Sequence, residues 1–253
     1  MKCIVFITFL FWSITFQAQI VNIESQRIQS DSNYRIVNLD GNFSSQLNNQ
    51  RTLMDYHLGG LIQFKSKDSK NMWLLLINGD RSIADGNDMS NANLLHLRYS
   101  HKILPKIKVE SFYQIQSNKL LDLKNRQLLG AGLRFKFLAS GRCNLYLGSL
   151  YMFELESTLE HTTPIGYHRL SNYFSVSIKS IKSNIEFTNI VYYQPLLQNF
   201  SDFRLSGQMN LLIPISNRIV FTSNVMCYLD KRPPLDVAPY TYQISHGFRY
   251  NFK

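Results

Sequence analysis

A chain of 253 residues that is 45% hydrophobic and only 17% charged is too apolar for disorder and has the size of one all-β domain. A mean hydropathy of −0.16 excludes a polytopic helical membrane protein. The formal charge of +10 is scattered along the chain, without the clustered basic stripe that marks a nucleic-acid binder. Seventeen Phe and fourteen Tyr against two Trp give an aromatic surplus that interfacial girdles of a membrane wall would use, although a soluble β-sandwich shares it.

The chain opens as an export address. Lys2 precedes an apolar run from Cys3 to Phe16, interrupted only by Thr8, Ser13 and Thr15, and Gln17-Ala18-Gln19 follows. A positive start, an apolar stretch and a small residue are the three parts of a secretory signal, and the run is too short to span a bilayer. Residues 1–18 are therefore expected to be a signal peptide cleaved near Ala18. Residues 19–34 are expected to form a periplasmic N-terminal segment (a tail, a small plug or a partner-binding strand), and residues 35–253 the body of the protein.

From Arg35 onward the pattern has period two, the mark of half-buried strands. Val37, Leu39, Gly41 and Phe43 alternate with Asn38, Asp40, Asn42 and Ser44. Tyr56, Leu58, Gly60, Ile62 and Phe64 alternate with His57, Gly59, Leu61 and Gln63. Trp73 to Ile77 is continuously apolar and fits less well. Leu129, Ala131, Leu133 and Phe135 alternate with Gly130, Gly132, Arg134 and Lys136, and later Phe203, Leu205 and Met209 with Arg204, Ser206 and Gln208. The final segment is the cleanest: Tyr240, Tyr242, Ile244, His246, Phe248, Tyr250 and Phe252 face one way, and Thr241, Gln243, Ser245, Gly247, Arg249 and Asn251 the other.

About twelve strands are predicted, near 35–46, 51–65, 71–83, 91–103, 107–118, 125–138, 144–157, 168–180, 184–198, 202–214, 218–230 and 239–252. Each is long enough for a tilted crossing of the hydrocarbon layer, which takes about 9–11 residues. Short periplasmic turns are expected at Lys65–Lys70, Leu104–Lys106, Ser140–Arg142, Lys182–Ser183 and Ser216–Asn217. Longer outer loops are expected at Ala84–Asn91, Ser157–Tyr167 and Lys231–Pro239, with two short outer connections near Asn48 and near Leu121. Lipid offers no hydrogen bonds to an open sheet edge, so such strands must close on themselves. The fold class is thus all-β, a transmembrane antiparallel up-and-down β-barrel closed by the strand Tyr240 to Phe252. A soluble exported β-protein is the alternative.

The ending Gly247-Phe248-Arg249-Tyr250-Asn251-Phe252 resembles the C-terminal aromatic signature of outer-membrane barrels, displaced one place by Lys253. That resemblance implies barrel-assembly machinery as a partner. Four further stretches are Val21–Arg27, Leu95–Lys102, Glu110–Gln116 and Leu128–Phe135. In these the chain resembles the salt-stress-induced outer-membrane family of unknown function, in its Bacteroidetes form. The resemblance covers most of residues 20–253 and implies a barrel in a Gram-negative outer membrane, among its lipids, with no settled activity.

The residues offer little chemistry. Cys143 and Cys227 lack metal-like spacing, and no cofactor or metal site is expected. His57 and His96 should face the lumen, His101 and His246 should face outward, and His161 and His168 belong to the loop after the seventh strand. Ser245 beside His246, and Ser100 beside His101, cannot form a catalytic dyad, because neighbours on a strand point to opposite faces. His96 with a lumen Ser or Glu would be the site of an outer-membrane lipid-modifying hydrolase, the alternative to a non-enzymatic barrel. The candidate lumen lining carries both signs: Asp40, His57, His96, Arg98, Glu110, Arg134, Lys136, Glu154, Glu186, Arg204 and Arg249. These groups can line a small passive channel or pair with one another and fill the bore.

Overall fold

Period-two patterning becomes twelve strands: β1 (Arg35–Asn48), β2 (Arg51–Lys65), β3 (Asn71–Ala84), β4 (Asn87–Leu104), β5 (Ile107–Asn118), β6 (Leu123–Ala139), β7 (Cys143–Thr158), β8 (Ile165–Lys179), β9 (Glu186–Leu196), β10 (Asn199–Pro214), β11 (Ile219–Asp230) and β12 (Tyr240–Tyr250). The computed structural model describes residues 34–48, 51–140, 142–180, 182–216, 218–234 and 237–250; the expected signal peptide and nearly all of the 19–34 segment lie outside them. The strands form one antiparallel sheet in sequence order, each bonded to its chain neighbours. Among the described residues no helix is long and apolar enough to cross a membrane.

The polarity of this sheet is inverted. Outward positions carry Leu39 at 78% exposure and Phe248 at 71%, with Val37, Leu58, Leu129, Phe137 and Tyr242 also exposed. Inward positions bury His96, Glu110 and Glu154 completely, and Arg98, Arg134, Arg169 and Arg204 nearly so. A water-soluble domain buries its aliphatic groups and exposes its charges; an apolar outer face of this extent needs a non-aqueous neighbour.

The sheet is strongly curved. Tyr173 of β8 bonds Glu110 of β5 at 2.8 Å, and Arg204 of β10 bonds Glu154 of β7 at 2.6 Å. In a flat sheet strands three places apart would lie about 14 Å from one another, so these contacts need the sheet to wrap an interior. Side chains from β3 through β11 line one shared internal cavity.

Two local expectations are corrected. Ala84–Asn91 is not a long loop: β3 and β4 run on to a two-residue turn, Asp85-Gly86, with φ of 50° and 80°. Asp-Gly suits the left-handed pair of a tight hairpin turn, and that dipeptide was the signal. This hairpin adds a third short outer connection to the two expected near Asn48 and Leu121, so length separates the two ends of the sheet less than the sequence suggests. β8 begins at Ile165, earlier than the expected start at residue 168, so His168 lies within the strand, opposite Phe153, and not at the loop's edge, and its ring Nδ1 lies 2.5 Å from the Tyr151 hydroxyl.

The apolar run Trp73–Ile77 has a packing reason. Leu74 and Leu76 turn inward and join Leu61 and Leu94 in a small apolar cluster, while Trp73 and Ile77 are exposed outward. Here both faces of β3 are apolar, so alternation fails in sequence while persisting in structure.

Candidate functional site

The interior holds two ionic networks stacked along the strand direction. The first lies toward the end carrying the Asp85-Gly86 turn. Arg204 is at its centre: Nε reaches Asp230 at 2.8 Å, one terminal nitrogen reaches Glu154 at 2.6 Å and the other Glu156 at 3.0 Å. Arg126 bonds Glu154 at 3.0 Å and Glu156 at 2.6 Å. Arg169 bonds Glu154 at 3.1 Å and Asp202 at 3.2 Å. Three guanidinium forks thus meet four carboxylates contributed by β6, β7, β8, β10 and β11. Forks suit carboxylates because two parallel N–H donors match two oxygens.

The second network lies nearer the opposite end. Glu110 accepts from Tyr173 Oη at 2.8 Å and from Ser100 Oγ at 3.2 Å, and stands 3.5 Å from Arg98 and 3.7 Å from Arg134. The Arg134 guanidinium stacks 4.0 Å over the Tyr146 ring. Two glycines make this layer possible. A Cβ on Gly148 would lie 2.0 Å from the Tyr173 ring, and one on Gly130 would lie 2.3 Å from the Phe112 ring. The missing side chains let both rings lie flat against the wall, and Tyr173 can then reach Glu110. Phe112, Leu128, Leu150, Met152 and Tyr173 pack as one buried cluster at this level.

Between the networks remains an internal cavity of about 130 Å³, lined among others by His96, Arg98, Gln114, Arg126 and Arg204. On the far side of Glu110 lies a larger cavity of about 680 Å³, lined among others by Lys136 and Glu186.

The candidate residues therefore divide. Arg98, Glu110 and Arg134 meet in one network, while Glu154 and Arg204 meet in the other. His96 is buried, with Nδ1 2.9 Å from the Gln114 amide oxygen and its ring stacked on Phe112. His57 sits between two carboxylates, 2.6 Å from Asp80 and 3.0 Å from Asp40, on the first three strands. Lys136 and Glu186 line the larger cavity and stand apart from both networks. Arg249 lies opposite Val220 in β12, and its side chain is outside the described ones. Sequence reasoning missed Arg126, Glu156, Arg169, Asp202 and Tyr173. Arg126 shares the parity of Arg134, Glu156 that of Glu154, and Asp202 that of Arg204, so alternation held the signal for these three.

Ser245 pairs with Asn224 and His246 with Ser223, and the His246 ring stacks on Phe221. Cys143 begins β7, Cys227 lies within β11, and both are free thiols. Among the described residues no group of three or more His, Cys, Asp or Glu side chains is placed to hold a metal ion.

A comparison with curated proteins gives no match. Among solved structures the chain is similar to one described as a bacterial polysaccharide outer membrane secretin, at 12% identity and a TM-score of 0.47, covering 87% of this chain and 77% of that one. It is also similar to the NanC porin, at 10% identity and a TM-score of 0.46, covering 86% of this chain and 100% of that one. The family model described as "Protein of unknown function, DUF481" matches residues 54–252, from β2 into the last strand, and the chain belongs to that family.

Proposed function

We propose that this protein is a non-enzymatic outer-membrane β-barrel, closed by pairing of β12 with β1, whose filled interior suits a structural role better than free diffusion. The outer face supports the membrane setting, since its aliphatic and aromatic side chains match hydrocarbon. An even number of strands places both ends of the sheet on one side, the periplasmic side in such barrels. Lipid and the barrel-assembly machinery are the proposed partners, the latter through the last strand. The salt-stress-induced, Bacteroidetes affiliation is proposed on the stretches Val21–Arg27, Leu95–Lys102, Glu110–Gln116 and Leu128–Phe135.

The observation that carries the structural role is the pair of ionic networks crossing the bore. Arg204 reaches from β10 to β7, and Tyr173 from β8 to β5. Each contact occupies the cross-section that a conducting pore would keep for water. The signal-free protein should fold in detergent to a species whose gel migration changes on boiling. Reconstituted into a planar bilayer, it should give no stable conductance steps. Regular steps from the wild-type protein would overturn the structural role in favour of a small passive channel.

A further inference from the structure

The larger cavity has a charge that the rest of the interior lacks. Nine of its lining residues are Lys or Arg, eight of them besides the Arg134 that also faces Glu110, and one, Glu186, is acidic. Glu186 is itself bonded to Lys179. The networks deeper in the bore, by contrast, balance guanidinium with carboxylate. Register sharpens the contrast. Lys102 stands directly opposite Lys108, and Lys108 directly opposite Arg134, so three cations share one cross-strand row. Like charges facing one another across a ladder destabilise it. Lys65 and Lys136 line the same space from β2 and β6.

We infer that this basic vestibule is a binding site for a small oligoanion bearing several phosphate or carboxylate groups. A concave site lined by one sign of charge focuses its field and concentrates counter-ions. Its volume of about 680 Å³ is that of a small-ligand site. Most of its cations are lysines, whose ammonium groups act as mobile point charges, so the site selects charge density over one planar shape. The vestibule ends at the layer of Glu110, Arg98 and Arg134, which makes it a cup that holds its ligand at one end of the bore. Binding in the cup does not require conduction, so this site stands or falls separately from the structural role.

The test is calorimetric titration of the signal-free chain, folded in non-ionic detergent, with tripolyphosphate and with citrate as probes. Saturable binding of at least one probe is expected: tripolyphosphate alone identifies phosphate, citrate alone carboxylate, and both identify charge density. The double variant Lys102→Gln/Lys108→Gln should weaken binding about tenfold or more, as loss of two charged contacts implies. The charge-matched control Lys67→Gln/Lys182→Gln alters exposed turn residues at the same end and should leave affinity unchanged. Saturation by neither probe, or equal weakening in both doubles, would overturn the site. Thermal unfolding gives a second readout. The binding probe should raise the unfolding midpoint of wild type far more than that of the Lys102/Lys108 double. An equal rise in both would also overturn it.

Discussion

Glu110 is the residue on which the inner layer depends. It is fully buried between Arg98 and Arg134 and accepts hydrogen bonds from Tyr173 and Ser100. Removing its charge leaves two buried guanidinium groups without that counter-charge, and breaking a buried pair in this way costs about 3–5 kcal/mol. Glu110→Gln preserves shape, so its expected effect is a loss of stability of that order. Urea unfolding in lipid vesicles, followed by the fluorescence of Trp73, measures it. Alternation placed Arg98, Glu110 and Arg134 on the inward face before any coordinates. It could not pair Glu110 with Tyr173, because those residues are 63 positions apart and meet only through sheet curvature. Gly148 was silent for the same reason: its role belongs to a ring on the next strand.

At the scale of elements, β6 shows how one strand serves two environments. Leu129 and Leu133 are exposed outward, while Leu128 and Arg134 are buried inward. Leu129 is at 59% exposure, in the apolar band. Leu129→Arg would leave a water-soluble protein almost untouched, but a charged arginine near the bilayer midplane costs about 2–4 kcal/mol. Folding titrations of this variant in lipid vesicles should show a loss of that order, and wild-type stability would contradict the lipid-facing assignment. Strand number and face were legible because the inward and outward environments differ so sharply in polarity. Legibility weakened at β3, where Leu74 and Leu76 meet an apolar interior cluster. It failed at Asp85-Gly86, where polar flanks concealed a hairpin that continues to the tip.

For the whole molecule, the deciding property is the filled cross-section. Chain-neighbour pairing of twelve strands builds the curved sheet, and the Arg–carboxylate layers divide the space it wraps. The Glu110 layer lies between the two cavities, so its removal should connect them. The triple variant Arg98→Ala/Glu110→Ala/Tyr173→Ala leaves the Arg204 network across the bore and is expected to stay silent, while adding Arg204→Ala is expected to give measurable single-channel conductance. A quadruple variant that stays silent with retained heat-shifted migration would contradict the two networks as the barrier. None of this layering could be foreseen from the lining residues alone, since twelve strands suit either a filled or a hydrated bore.

The neighbour-only topology also sets an order of events. Among the described residues each of the eleven ladders joins strands adjacent in sequence, so hairpins can zip in succession with little loop-closure entropy at each step before the proposed pairing of β12 with β1. The Arg204–Glu154 contact spans 50 residues and forms only once several strands have curved together. Interactions that form after the rate-limiting step slow escape from the native state without hastening arrival. The buried charges of this protein are therefore expected to act as a late lock: Arg204→Ala should raise the rate of unfolding in lipid vesicles while leaving the rate of folding nearly unchanged, and an equal slowing of folding would contradict this order.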